Sequence, residues 1–137
     1  MPPQSDAQLR EIIANYYGMI SLVDHQVGRI LSALDDAGLA DNTLVVFTSD
    51  HGELLGDHGL MLKGPMHYEG LLRVGLIMRG PGIAAGQKND QPVSTLDLAA
   101  TFGDYAATPV PSAVHSQSLR PLLTGVGNAE RDHAYNE

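Results

Sequence analysis

The chain contains no cysteine and no tryptophan, and phenylalanine and tyrosine together make up only 5% of it. Without cysteine there is no disulfide framework, no thiolate metal site and no cysteine nucleophile, and cysteine usage gives no clue to the redox compartment. Positive charge is also scarce: 8 Lys and Arg against 16 Asp and Glu give 8 − 16 = −8. A sequence-independent nucleic-acid binder needs a basic face for phosphates, and an anionic membrane attracts the same kind of face, so neither partner is expected. No apolar run approaches the roughly 18 residues that span a bilayer. The opening Met1-Pro2-Pro3-Gln4-Ser5-Asp6 has neither the basic nor the apolar region of a secretory signal, and localisation is left unread. What remains is 137 residues, 43% hydrophobic and 18% charged. That is the length and composition of one globular domain, 1–137.

The clearest element comes first. Leu9, Ile12, Ile13, Tyr16, Ile20, Val23, Val27, Ile30, Leu31 and Leu34 recur at helical spacing and predict a long amphipathic helix. Ser5 with Gln8 reads as a capping box, and Gly38 as the left-handed residue after the helix end. An apolar stripe on one side predicts a helix that covers a sheet. Thr43–Thr48 then forms a β-rich run apolar on both faces, which predicts a buried central strand of a parallel sheet. A second run, Val74–Met78, ends at the breaker Arg79-Gly80-Pro81-Gly82. A short strand over 91–94 and a helix from Leu96 to Tyr105, capped by Ser94 or Thr95 with Asp97 in its first turn, complete the regular structure. After Pro109 the chain reads as loop, with Leu119, Leu122 and Leu123 as a weak apolar patch. Asp50-His51-Gly52 recurs as Asp57-His58-Gly59, an echo too short for a repeat architecture. The order helix, strand, long loop, strand, helix is α/β, and ligands in such folds collect at strand ends.

Asp50 and His51 lie at such an end. A carboxylate and an imidazole side by side, with Gly52 freeing the turn, suit a metal site, although Asp50 capping a turn beside a solvated His51 fits the spacing equally well. Oxygen donors suit Ca²⁺ or Mg²⁺, and an imidazole moves the preference toward Mn²⁺ or Zn²⁺. A second cluster, Asp57, His58, Lys63, His67, Tyr68 and Glu69, lies in the glycine-rich loop between the two strands. Lys63 at the rim of a metal site would hold an anion as a point charge, with His67 as a second substrate-binding candidate. His58 reads as a plain loop histidine, Glu53 as a supporting acid, and Arg73 as an ion-pair partner. Asp24 and His25 read as solvated helix surface.

The stretch from Thr48 to Leu60, TSDHGELLGDHGL, followed by Lys63-Gly64-Pro65 and His67-Tyr68-Glu69-Gly70, closely resembles the sulfatase family of the alkaline-phosphatase-like superfamily. The flanks agree: Tyr17 to Val23-Asp24, Val27-Gly28-Arg29-Ile30-Leu31, Asp41-Asn42-Thr43, Arg73-Val74 with Arg79-Gly80-Pro81-Gly82, and Ser118-Leu119 with Pro121-Leu122. Gly75 departs from the proline common in the family. The resemblance implies a partial α/β/α sandwich with a mostly parallel sheet. It implies that Asp50 and His51 are the late pair of metal ligands. It also implies that Lys63 is the catalytic lysine that contacts the sulfate oxygens. Many sulfatases carry Asn at the second ligand position and use Ca²⁺; histidine there is similar to phosphonate and phosphate-diester hydrolases.

The family's nucleophile is a formylglycine made within a Cys/Ser-x-Pro-x-Arg segment, and no such segment occurs here. Nor do the acidic ligands that the family places near its start. The chain therefore resembles the C-terminal portion of a sulfatase catalytic domain and is expected to lack turnover by itself. Its expected partners are a sulfate ester, and either the missing N-terminal part or further copies of itself, because a cut sheet exposes edges and apolar faces. The alternatives are a phosphonate or phosphate-diester hydrolase of the same superfamily, and a non-catalytic binding or assembly module.

Overall fold

A computed structural model describes residues 4–110, 115–127 and 132–134 of the chain. The elements run α1 (Asp6–Asp36), β1 (Val45–Thr48), α2 (Glu69–Leu72), β2 (Leu76–Arg79), α3 (Asp97–Tyr105) and α4 (Arg120–Leu123), with single 3₁₀ turns at Ala40–Asn42 and Asp57–Gly59. Contacts divide it into two units, one holding α1 with Phe47–Leu76, the other holding Leu44–Val46 with the chain from Ile77 onward.

α1 begins and ends as its sequence predicts. The Ser5 hydroxyl accepts from the Gln8 amide while the Gln8 side chain accepts from the Ser5 amide. At the other end Gly38 takes φ 66°, and the bonds Leu39 N–H to Leu34 O and Gly38 N–H to Asp35 O close a Schellman motif. Burial departs from expectation. No residue of α1 is fully buried. Leu9, Ile12, Ile13, Tyr16, Val27, Leu31 and Leu34 are half-buried, and Ile20, Val23 and Ile30 are exposed.

The sheet also differs. β1 and β2 pair with each other, antiparallel, and among the described residues form the only sheet. A parallel pair needs a crossover that returns the chain to its starting end. The connection here holds only one 3₁₀ turn and the four-residue α2. Phe47 of β1 is exposed and β2 alternates, so neither strand is buried on both faces as a central strand would be. The chain is thus α/β, while a mostly parallel sandwich is not formed by its described residues alone.

The strand expected over 91–94 is absent. Its backbone donors are engaged elsewhere: Gln91 N–H bonds the Asn89 side chain, Ser94 N–H bonds the Asp97 carboxylate, and Pro92 has none. α3 forms over Asp97–Tyr105, but Leu96 stands at its N-cap without a side-chain cap, so neither Ser94 nor Thr95 caps it as expected. Its entry is held by an exchange in which the Ser94 hydroxyl accepts from the Leu96 amide while the Asp97 carboxylate accepts from the Ser94 amide. The stretch read as loop after Pro109 gains the short helix α4, and its residues 111–114 lie outside the described set.

Candidate functional site

β1 stops at Thr48, and the next three residues turn on their own side chains. The Ser49 hydroxyl donates to the His51 carbonyl at 2.8 Å, and the His51 amide donates to Asp50 Oδ1 at 3.0 Å. That local ring fixes the Asp50 carboxylate against the backbone. Its pKa is held below the ordinary aspartate value, first by the His51 amide, then by the positive charge His51 can carry and by the Lys63 ammonium. Asp50 is therefore ionised, the form that ligates a cation.

The other carboxylate oxygen, Oδ2, lies 3.5 Å from His51 Nε2. Lys63 Nζ lies 2.8 Å from the same Nε2, and His51 Nδ1 lies 2.8 Å from the Gly52 carbonyl. In the neutral ring these contacts favour one tautomer. A carbonyl only accepts, so Nδ1 carries the hydrogen; an ammonium only donates, so Nε2 presents its lone pair. A neutral imidazole anchored by Nδ1–H to a backbone carbonyl is the arrangement in which histidine ligates a metal through Nε2.

Three of the four residues singled out from sequence are thus brought together. His67 stands exposed on the loop before α2 and makes no hydrogen bond or ion pair with them. The donor types suit part of a divalent-metal shell, one ionised carboxylate oxygen and one imidazole nitrogen, but here the Nε2 lone pair accepts from Lys63, so ligating a metal through it requires the ammonium to leave. Two donors do not complete a shell, and among the described residues no three His, Cys, Asp or Glu side chains gather to hold a metal.

The loop that carries Lys63 is shaped by unusual backbone. Leu55, His58 and Leu62 have positive φ of 47°, 52° and 64°, interleaved with Gly56 and Gly59 at 96° and 70°. Each such non-glycine residue costs about 1–3 kcal/mol, and such strain concentrates at functional sites. A side chain at Gly56 would press on Leu9 of α1, with the nearest atom 2.9 Å away.

The Asp-His-Gly echo is structural as well as textual. Asp57 Oδ1 accepts from the His58 amide at 3.1 Å, and Asp57 Oδ2 lies 3.6 Å from His58 Nε2, matching the first copy. The copies differ in backbone, left-handed at His58 and Gly59 only, and in surroundings: His51 faces Lys63, whereas the His58 ring stacks on Tyr68 at 3.9 Å between centroids. The stack gives His58 a packing role that the sequence did not signal. Glu53 bonds the Leu55 amide and so shapes the loop, and Arg73 pairs with Glu69 at 3.5 Å as expected.

Known proteins match this region closely. The Sulfatase family model matches residues 2–108. Arylsulfatase K of Xenopus laevis is 41% identical over 126 residues, 92% of this chain and 23% of the relative. The solved phosphonate monoester hydrolase SpPMH from Silicibacter pomeroyi superposes with a TM-score of 0.88 at 35% identity, covering 93% of this chain and 25% of that one. A solved 2-O GAG sulfatase superposes with a TM-score of 0.86 at 30% identity, covering 96% of this chain and 29% of that one. The chain spans about a quarter of the length of the proteins it matches.

Proposed function

Because the chain belongs to the sulfatase family, we propose that it supplies one side of a sulfuric ester hydrolase active centre. Asp50 and His51 act as two of its metal ligands, and Lys63 is the cation that binds the transferring group. That Asp50 Oδ2 and Lys63 Nζ both lie within 3.5 Å of His51 Nε2 is the observation that supports this reading. A divalent ion held there, Ca²⁺ by family resemblance or Mn²⁺ or Zn²⁺ given the imidazole, would supply Lewis-acid stabilisation of charge on the sulfuryl oxygens. Asp50 contributes an ionised oxygen and His51 an oriented lone pair. Lys63, with three donors and no acceptor, balances negative charge on the ester oxygens and on the departing alkoxide. His67, exposed four residues further along the same loop, is the second substrate-binding candidate.

The remaining metal ligands and the formylglycine nucleophile come from polypeptide outside these residues, and the same polypeptide completes the α/β/α sandwich and covers the apolar face of α1. The proteins matched here are about four times longer, which is where that cover resides in the proposal. These 137 residues alone are expected to give no turnover.

His51 also favours a second reading, a phosphonate ester as substrate, since the Silicibacter structure is a phosphonate monoester hydrolase. The test is hydrolysis of an aryl sulfate and an aryl phosphonate, side by side, by the longer polypeptide containing this chain. The first reading expects the sulfate to be the faster substrate and Lys63→Ala to reduce its rate by roughly 10²–10³-fold, as removal of one pre-organised charge-stabilising group does. A faster phosphonate would move the assignment to the second reading. An unchanged rate in Lys63→Ala would overturn both.

A further inference from the structure

The Lys63 ammonium reaches His51 across twelve residues of chain, so something other than local sequence must hold the two together. Two backbone bonds do. The Gly52 amide donates to the Leu71 carbonyl at 2.8 Å, and the Leu54 amide donates to the Leu62 carbonyl at 3.3 Å. They pin both ends of the loop 62–71 onto the segment that follows Asp50 and His51. Lys63 is the residue next to one pin, and α2 carries the other.

The two pins enclose a small core. Leu54 and Leu71 are each 4% exposed, the only fully buried apolar residues among the described residues of the unit that holds α1 and Phe47–Leu76. The approach at Gly52 is backbone to backbone. A methyl group there would collide with the Gly70 carbonyl oxygen, and would lie 2.9 Å from the Gly70 carbonyl carbon and 3.2 Å from Leu71 Cα. Gly52 is not among the residues with positive φ. Its glycine serves this close contact, not the sharp turn that its place after the Asp-His pair implied. The reverse side is open: a methyl group on Gly70 would meet only the Glu53 carbonyl oxygen, at 3.9 Å.

We propose that Gly52 is a positioning residue for the ester-binding lysine. By admitting the α2 backbone at van der Waals contact, it closes the 62–71 loop and brings Lys63 beside Asp50 and His51. The contact of Lys63 Nζ with His51 Nε2 marks that placement, and the ammonium gives it up for the ester when Nε2 ligates a metal. The catalytic meaning of that contact rests on the sulfatase reading, but the contact itself is measurable without substrate.

The experiment is ¹⁵N NMR of the His51 ring and the Lys63 ammonium in the 137-residue chain, with circular dichroism reporting α1. Wild type shows His51 as the Nδ1–H tautomer with Nε2 accepting from Lys63, and Lys63→Met shows the Nε2 resonance once that donor is gone. Gly52→Ala is expected to move Nε2 to the Lys63→Met position with the α1 signal intact, and Gly70→Ala to leave it at the wild-type position. A wild-type spectrum for Gly52→Ala, or an equal shift for Gly70→Ala, overturns the proposal. If Gly52→Ala also loses the α1 signal, hydrogen exchange of the wild-type chain decides. The Gly52 and Leu54 amides must exchange at least tenfold more slowly than the Gly64 amide, and equal rates overturn the proposal. None of these readouts uses an ester, so the sulfatase reading can fail on rates while the positioning stands, and the reverse.

Discussion

α1 and the corner built around α3 reach opposite outcomes from similar beginnings. α1 has 31 residues, a complete capping box and a Schellman end, and yet buries no residue fully. α3 has nine residues and no side-chain cap at its first position, and yet contains Asp97 and Thr101, both with zero exposure. Asp97 Oδ2 accepts from the Ser94 amide at 2.8 Å, and Oδ1 accepts from the Gln117 amide, twenty residues away, at 3.0 Å. The Thr101 hydroxyl donates to the Asp97 carbonyl at 2.6 Å and accepts from the Leu119 amide at 2.8 Å. The difference shows that forming a helix and burying it are separate matters. Local propensity and caps suffice for the first, whereas burial needs partners. The α3 corner finds its partners within this chain, and α1 finds only some of its own.

The sharpest way to break the comparison is to remove the tie. Asp97→Ala removes a buried acceptor from two part-buried backbone donors, Ser94 N–H and Gln117 N–H. Each orphaned donor costs about 1–3 kcal/mol, so a total of about 2–6 kcal/mol is expected. Hydrogen exchange should show the Gln117 and Leu119 amides losing protection by roughly two orders of magnitude, with the amides of α1 unchanged. Equal loss of protection along α1 would mean that the two regions unfold as one, and the contrast drawn here would fail.

The same contrast explains how much could be read in advance. Period and caps marked α1 to within a few residues, because both are local. The grouping of Asp50, His51 and Lys63 could be singled out in advance because the first two follow a β-rich run and the stretch around all three resembles a family motif; their roles belong to the proposal. The antiparallel pairing of β1 and β2 was not legible, since strand direction depends on the path of the 49–75 connection and not on strand composition. Neither were the tie from Asp97 to Gln117 and the contact between Gly52 and Gly70. Such contacts join backbone groups far apart in the chain, and a hydropathy pattern carries no record of them. Seven residues after the pair, Asp57-His58-Gly59 repeats its Asp–His contacts on a left-handed backbone that Asp50-His51-Gly52 does not share, so motif text alone does not tell the two copies apart.

A smaller effect is expected from acid. The Asp104 carboxyl is held below the ordinary aspartate pKa of 3.8, first by the Ser118 hydroxyl at 2.7 Å and then by the Arg120 guanidinium at 3.0 Å. A carboxyl with a lowered folded pKa binds fewer protons than its unfolded counterpart near that value. Its stabilisation is therefore complete above about pH 5 and fades as pH falls through the folded value. The ion pair is partly exposed, and such pairs contribute only about 0–1 kcal/mol. The expected signature is a modest rise in Leu119 amide exchange on acidification, in excess of the intrinsic pH effect, that is absent in Asp104→Asn. An identical pH profile in that variant would detach the carboxylate from the stability of the corner.

The smallest change in stability is expected on α1. Ile20, Val23 and Ile30 are 48%, 54% and 63% exposed, so glutamine at these positions removes little burial and keeps a good helix former. The triple variant should retain its helical circular dichroism, with stability changed by no more than about 0.5 kcal/mol per site. Association is where it should act. An exposed apolar stripe on a 31-residue helix is a surface that other copies of the isolated chain will cover when no other polypeptide does. Light scattering should therefore find the parent chain self-associated and the triple variant shifted to monomer. A parent chain that is already monomeric would show that the stripe needs no cover. A large loss of helix in the triple variant would show that these side chains are packed within the chain after all, and would bring α1 and the α3 corner under one rule.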